Sequence, residues 1–154
     1  MIPIVRSATA LGVALALATT SLALADSPPT VQEQIDAALR AEPGGIQTGP
    51  NTARFDNGTA ILTIPNLAAR SVGSCTTGSF CAYSGTSLTG AKLTFTSCAV
   101  HSTAALTGGV HSIANATSLG IVYGETSSGT VLSTVLAGAS QSSSPSGIAQ
   151  LDCL

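Results

Sequence analysis

The sequence predicts an all-β protein: a two-unit Greek-key sandwich, preceded by a short helix and a hairpin. Three observations carry that expectation. Charge is scarce, 8% of residues, while hydrophobic side chains make up 44%; low charge with many Val, Ile and Leu argues for a packed β domain rather than a disordered chain. Short β-forming runs alternate with glycine-bearing turns and come twice: Phe80–Tyr83 and Lys92–Thr96 in one half, Gly120–Tyr123 and Val131–Leu136 in the other. Four cysteines, Cys75, Cys81, Cys98 and Cys153, supply an even set for two cross-links.

The chain opens on a secretory signal. Arg6 gives a small positive start, Ala8–Leu24 is apolar, and Ala23-Leu24-Ala25 is a small-x-small cleavage site followed by Asp26. An uncleaved anchor is the competing reading, but the run is short for a bilayer. Removal of residues 1–25 leaves about 130 residues, enough for one domain with its own core. Seven acids then face four bases. With Lys92 the only lysine and no basic patch, a nucleic-acid partner is not expected.

Residues 26–50 form the next segment. Thr30-Val31-Gln32-Glu33 is a capping box behind Pro28-Pro29, and Val31, Ile35, Ala38 and Leu39 share a helical face. Pro43-Gly44-Gly45 stops the helix. The segment reads either as a pro-segment or arm, or as an amphipathic helix packed on the β domain. Residues 51–74 follow as a leader hairpin and linker: Thr52–Phe55 and Thr59–Ile64 flank Asp56-Asn57-Gly58, and Asn-Gly between β-formers is a type I′ turn signal.

Residues 75–154 are the disulfide-linked Greek-key domain. Among three possible pairings, Cys75–Cys81 and Cys98–Cys153 are favoured. The first closes a small loop beside a strand; the second ties the middle of the domain to its end. A zinc site is disfavoured, because no Cys-x2-Cys spacing occurs. The degenerate duplication sets Tyr83 against Tyr123, and His111-Ser112-Ile113-Ala114 against Ser146-Gly147-Ile148-Ala149.

The spacing Tyr83-x4-Leu88-x-Gly90 resembles the folded hairpin of βγ-crystallin-type Greek keys. Phe55-Asp56-Asn57-Gly58-Thr59-Ala60-Ile61-Leu62, Cys75, Gly78, Phe80-Cys81, Cys98, Ser112-Ile113-x-Asn115-x-Thr117 and Cys153 extend the likeness. Over 51–154 the chain resembles the secreted metalloproteinase-inhibitor family of actinobacteria, whose fold is βγ-crystallin-like. It departs from the pattern at Leu88, where an aromatic is usual, and in the shorter second hairpin Tyr123–Gly129. In calcium-binding crystallin modules the ligand pair is acidic or amide; here those positions fall on Thr107-Gly108 and near Ser142-Ser143. Hydroxyls supply too little charge, so no tight calcium site is expected, and neither is any other metal or cofactor.

The resemblance implies an inhibitor that acts on an extracellular protease. The segment best suited to presentation is Cys98, Ala99, Val100 and His101, continuing to Ser102, with Val100 offered to an apolar specificity pocket. Its alternative is plain structure, the third strand of the first unit. Enzymatic chemistry is not expected. His101 and His111 are the only histidines, the acids Asp56, Glu125 and Asp152 are scattered, and no Gly-x-Ser-x-Gly elbow or phosphate loop occurs. Two readings other than inhibition stay open: a non-catalytic extracellular or envelope binding module, and a structural surface protein assembling through β edges.

Overall fold

A computed structural model describes residues 27–66 and 74–154. The expected signal segment and most of the expected linker at 70–74 lie outside them. The helix forms as expected. In α1 (Val31–Ala41), the Thr30 hydroxyl accepts from the Glu33 amide, while the Glu33 carboxylate accepts from the Thr30 amide at 2.7 Å. Two orphan donors of the first turn are thereby satisfied. Ile35 and Ala38 are fully buried in the common core, so this helix packs on the sheets.

Among the described residues eleven strands follow: β1 (Ile46–Gly49), β2 (Thr52–Phe55), β3 (Ala60–Thr63), β4 (Phe80–Tyr83), β5 (Lys92–Phe95), β6 (Val100–Ser102), β7 (Ser112–Asn115), β8 (Ile121–Glu125), β9 (Val131–Leu136), β10 (Ser140–Gln141) and β11 (Gln150–Cys153). They form two antiparallel sheets. One runs β1-β2-β3-β5-β4-β7-β10, the other β6-β11-β8-β9. The leader hairpin continues the larger sheet, because β3 pairs with β5 from Ala60↔Phe95 to Thr63↔Lys92.

The connectivity crosses between layers. Of the four strands β4–β7, the third, β6, pairs with β11 in the smaller sheet; of β8–β11, the third, β10, pairs with β7 in the larger. Each unit therefore completes the other's sheet. Between the sheets lie Phe55, Leu62, Phe80, Leu93, Phe95, Ile113, Val122, Val135 and Leu151. The echoed isoleucines both reach this core, Ile113 from strand β7 and Ile148 from the turn ahead of β11.

The Asn-Gly signal gives its turn, inside a longer loop than a two-residue hairpin. The Thr59 amide donates to the Asp56 carbonyl at 3.1 Å, and Asn57 (φ 53°) and Gly58 (φ 94°) occupy the left-handed centre. The last ladder pair is Phe55↔Ala60, so four residues link the strands. Asp56 is also left-handed, with φ 50°. The sequon-like Asn115-Ala116-Thr117 is internal chemistry: Asn115 is buried, its amide donating to the Val135 carbonyl at 3.1 Å and its Oδ1 accepting from the Thr117 amide at 3.2 Å.

Candidate functional site

Two disulfides frame the region of interest, Cys75–Cys81 and Cys98–Cys153, with Cα separations of 5.7 and 4.9 Å. The first lies against the outer face of the larger sheet, where Cys81, Tyr83 and Ala114 are buried beneath Cys75 and Leu88. Leu88 comes from the folded hairpin between β4 and β5. That hairpin repeats the leader turn: the Thr89 amide approaches the Thr86 carbonyl at 3.3 Å, with Ser87 (φ 54°) and Leu88 (φ 60°) at its centre. Leucine is costly in this conformation. Ser112, fully buried, holds it there: its hydroxyl accepts from the Leu88 amide at 3.0 Å and donates to the Gly85 carbonyl at 2.6 Å. At Gly90 (φ 78°) a Cβ would lie 2.5 Å from the Ser84 hydroxyl and 3.1 Å from the Gly85 nitrogen, so the return of the hairpin excludes a side chain.

The second hairpin is a different object. β8 and β9 are joined by a compact turn in which the Gly129 amide donates to the Thr126 carbonyl at 3.0 Å, and residues 127–130 stand exposed. Tyr123 occupies the row Val100–Asp152–Tyr123–Thr134 across the smaller sheet. Because Val122 and Val135 point into the core, Tyr123 faces outward. The expected equivalence of Tyr83 and Tyr123 as hairpin aromatics does not hold; Tyr83 is fully buried and Tyr123 is not.

The segment singled out for presentation divides sharply. Cys98 and Ala99 form an exposed bend, and Val100 starts edge strand β6 with 56% of its surface accessible. Cys98 is tied to Cys153, the Cys153 amide approaches the Ala99 carbonyl at 3.4 Å, and Val100 pairs with Asp152. Strand alternation turns the next residue inward. His101 is 5% exposed and stacks on Phe95 at 4.8 Å between ring centroids. It is therefore a core residue and cannot be presented, which narrows the exposed turn to Cys98–Val100. Ser102 donates to the Glu42 carboxylate at 2.6 Å, fastening β6 to the end of α1.

His101 also corrects the view that histidine and acid stay apart. Its Nδ1 lies 3.2 Å from Asp56 Oδ2, and its Nε2 lies 3.1 Å from the Ser97 hydroxyl. Forty-five residues separate the first pair, which hid it from any local reading. The group is no hydrolytic triad. Nε2 also faces the Ser97 carbonyl at 2.9 Å, and the ring is sealed beneath Phe95 with no face for a substrate. His111 is exposed, just ahead of β7. Among the described residues no group of three His, Cys, Asp or Glu side chains could hold a metal ion.

Residues 68–127 match the family model described as peptidase inhibitor family I36, fewer than half of the chain's 154 residues. The match covers β4 to β8, with the folded hairpin and the Cys98–Val100 turn, and stops short of Cys153. No curated protein and no solved structure matches the chain. The matching family consists of inhibitors, not catalysts; the chain is not an enzyme, and the match implies a peptidase as its partner.

Proposed function

We propose that this chain is an exported peptidase inhibitor that offers the Cys98–Val100 turn to a metallopeptidase, on a double Greek key of the βγ-crystallin type. The observation that carries the reading is the inhibitor-family match, because it includes this turn. The exchange of β6 and β10 between the sheets supports the Greek-key assignment. The apolar run Ala8–Leu24 with its small-x-small site, and the two disulfides, support export.

An inhibitor needs no reactive group. It needs a segment that enters the peptidase cleft at little ordering cost, and a turn clamped by a disulfide and a strand pairing meets that need. Val100 supplies an apolar side chain for a hydrophobic pocket. The test is titration of the oxidised protein against metallo-, serine and cysteine peptidases, with the reduced protein as control. Stoichiometric inhibition of a metallopeptidase, lost on reduction and in Val100→Asp, is expected. Inhibition untouched by Val100→Asp would remove the turn from the interface.

A second reading, a non-catalytic extracellular binding module, draws on the outer face of the smaller sheet, where Val100, Leu136 and Leu154 are exposed. Silence across the whole peptidase panel, with retention on cell-wall material or another protein, would favour it.

A further inference from the structure

His101 has more hydrogen-bond acceptors around it than a neutral ring can serve. A neutral imidazole carries one N–H; an imidazolium carries two. Here Nδ1 faces the Asp56 carboxylate at 3.2 Å, and Nε2 faces the Ser97 carbonyl at 2.9 Å. Only the cation donates to both. When the proton leaves, Nδ1–H stays with the carboxylate, which has nothing to donate, and Nε2 becomes an acceptor. It then opposes the lone pairs of the Ser97 carbonyl, and the Ser97 hydroxyl at 3.1 Å becomes its donor instead. The bond from Nε2 to the backbone of Ser97 thus exists in one charge state and not in the other.

That backbone is the base of the exposed turn. Ser97 and His101 bracket Cys98–Val100, so the ring closes the turn from inside while the disulfide and the pairing of Val100 with Asp152 hold it from the β11 side. We propose that His101 is a positioning residue for the presented turn, and that its proton sets how tightly Ser97–Val100 is held. The proposal rests on the reading of this turn as the peptidase-facing segment. The turn is therefore held more firmly by the cation than by the neutral ring.

The surroundings leave Asp56 as the charged partner. Phe80 and Phe95 pack on the ring, Leu151 lies opposite it on β11, Glu42 is bound to Ser102, and Asp152 sits opposite Val100 on the outer side. Asp56 is supplied by the left-handed leader turn, so the leader hairpin has a part in shaping a segment far along the chain.

Hydrogen exchange of the full oxidised chain between pH 5 and 8 tests this, with the amides of residues 98–101 read against those of 126–130 in the same sample. Protection of 98–101 is expected to fall roughly tenfold across the range, the size of one charge-assisted hydrogen bond. It should be flat in His101→Gln, and altered in Asp56→Asn, which replaces the carboxylate that Nδ1 faces. In parallel, the ratio of wild-type to His101→Gln affinity for an inhibited metallopeptidase, which cancels the enzyme's own pH dependence, should drop by a similar factor. Identical exchange profiles in wild type and His101→Gln would overturn the proposal. If His101→Gln does not fold, an exchange profile of Asp56→Asn identical to wild type overturns it instead. Should the protein inhibit nothing at any pH, the inhibitory reading fails while the exchange profile still decides the role of the proton.

Discussion

The two sheets share one core and treat their outer faces in opposite ways. Over the larger sheet the face is roofed: Cys81 and Tyr83 lie beneath Leu88 of the folded hairpin and Cys75 of the small disulfide loop. Over the smaller sheet the face is bare, and Val100, Leu136 and Leu154 stand 56%, 60% and 71% exposed, with Tyr123 in the row of Val100. The cause is hairpin length. The link from Tyr83 to Lys92 is long enough to fold back and be pinned by Ser112, whereas the link from Glu125 to Val131 only closes its own turn. One face is covered by the chain itself; the other, beside the Cys98–Val100 turn, is not. Apolar surface that stays bare on a folded domain marks an interaction site more often than a neglected one.

The sharpest way to break this contrast is to truncate the two tyrosines. Tyr83→Ala empties a fully buried site and should cost about 3–5 kcal/mol in denaturant unfolding. Tyr123→Ala should stay within about 1 kcal/mol. Equal losses would mean that the faces do not differ. Opening the disulfides should rank next. Without the Cys98–Cys153 link, which closes a 55-residue separation, stability should drop by about 4 kcal/mol; without Cys75–Cys81, separated by six, the drop should be about 2 kcal/mol. Thermal melts of Cys→Ala pairs read both.

Smaller effects test the turns. Gly58→Ala places a side chain in the left-handed region and should cost about 1 kcal/mol. Ser112→Ala should cost more, about 2 kcal/mol, because it removes the buried hydroxyl that accepts from the Leu88 amide and donates to the Gly85 carbonyl. On the bare face, Leu136→Ser and Leu154→Ser should leave stability within about 0.5 kcal/mol.

The gentlest probe is alkaline pH. Burial raises the Tyr83 phenol above its ordinary 10.0, so the folded state keeps a proton that the unfolded chain releases. Stability is thus unaffected below pH 10 by this group and falls above it. Desolvation lowers Lys92 below 10.5, so its contribution runs the other way and improves as pH climbs toward that value. Tyr83→Phe should remove the fall and leave the Lys92 rise, as followed by unfolding between pH 9 and 11.

Local signals in the sequence were good guides to local structure. The capping box at Thr30, the left-handed Asn57-Gly58 turn, the strands at Phe80 and Val131, and the Cys75–Cys81 pairing all sit where short-range spacing put them. What was illegible depends on distant partners. Nothing around β3 announces that it will pair with β5, and nothing in β6 or β10 says which sheet each joins. Leu88 carries no hint of a left-handed backbone, because the serine that stabilises it lies 24 residues away. The repeat spacing made Tyr123 look like Tyr83, yet the shorter hairpin leaves it on the opposite kind of face. His101 was placed in the presented segment by adjacency; strand alternation, fixed only once β6 pairs with β11, turned it into the core toward Asp56.

The most direct measurement is an amide shift map of the isotope-labelled, oxidised protein on addition of an inhibited metallopeptidase. Changes should centre on Cys98–Val100 and spread into the neighbouring outer row of β11 and β8, while Ser84–Gly90 over the roofed face stays still. Changes centred on Ser84–Gly90, with Cys98–Val100 undisturbed, would contradict the assignment.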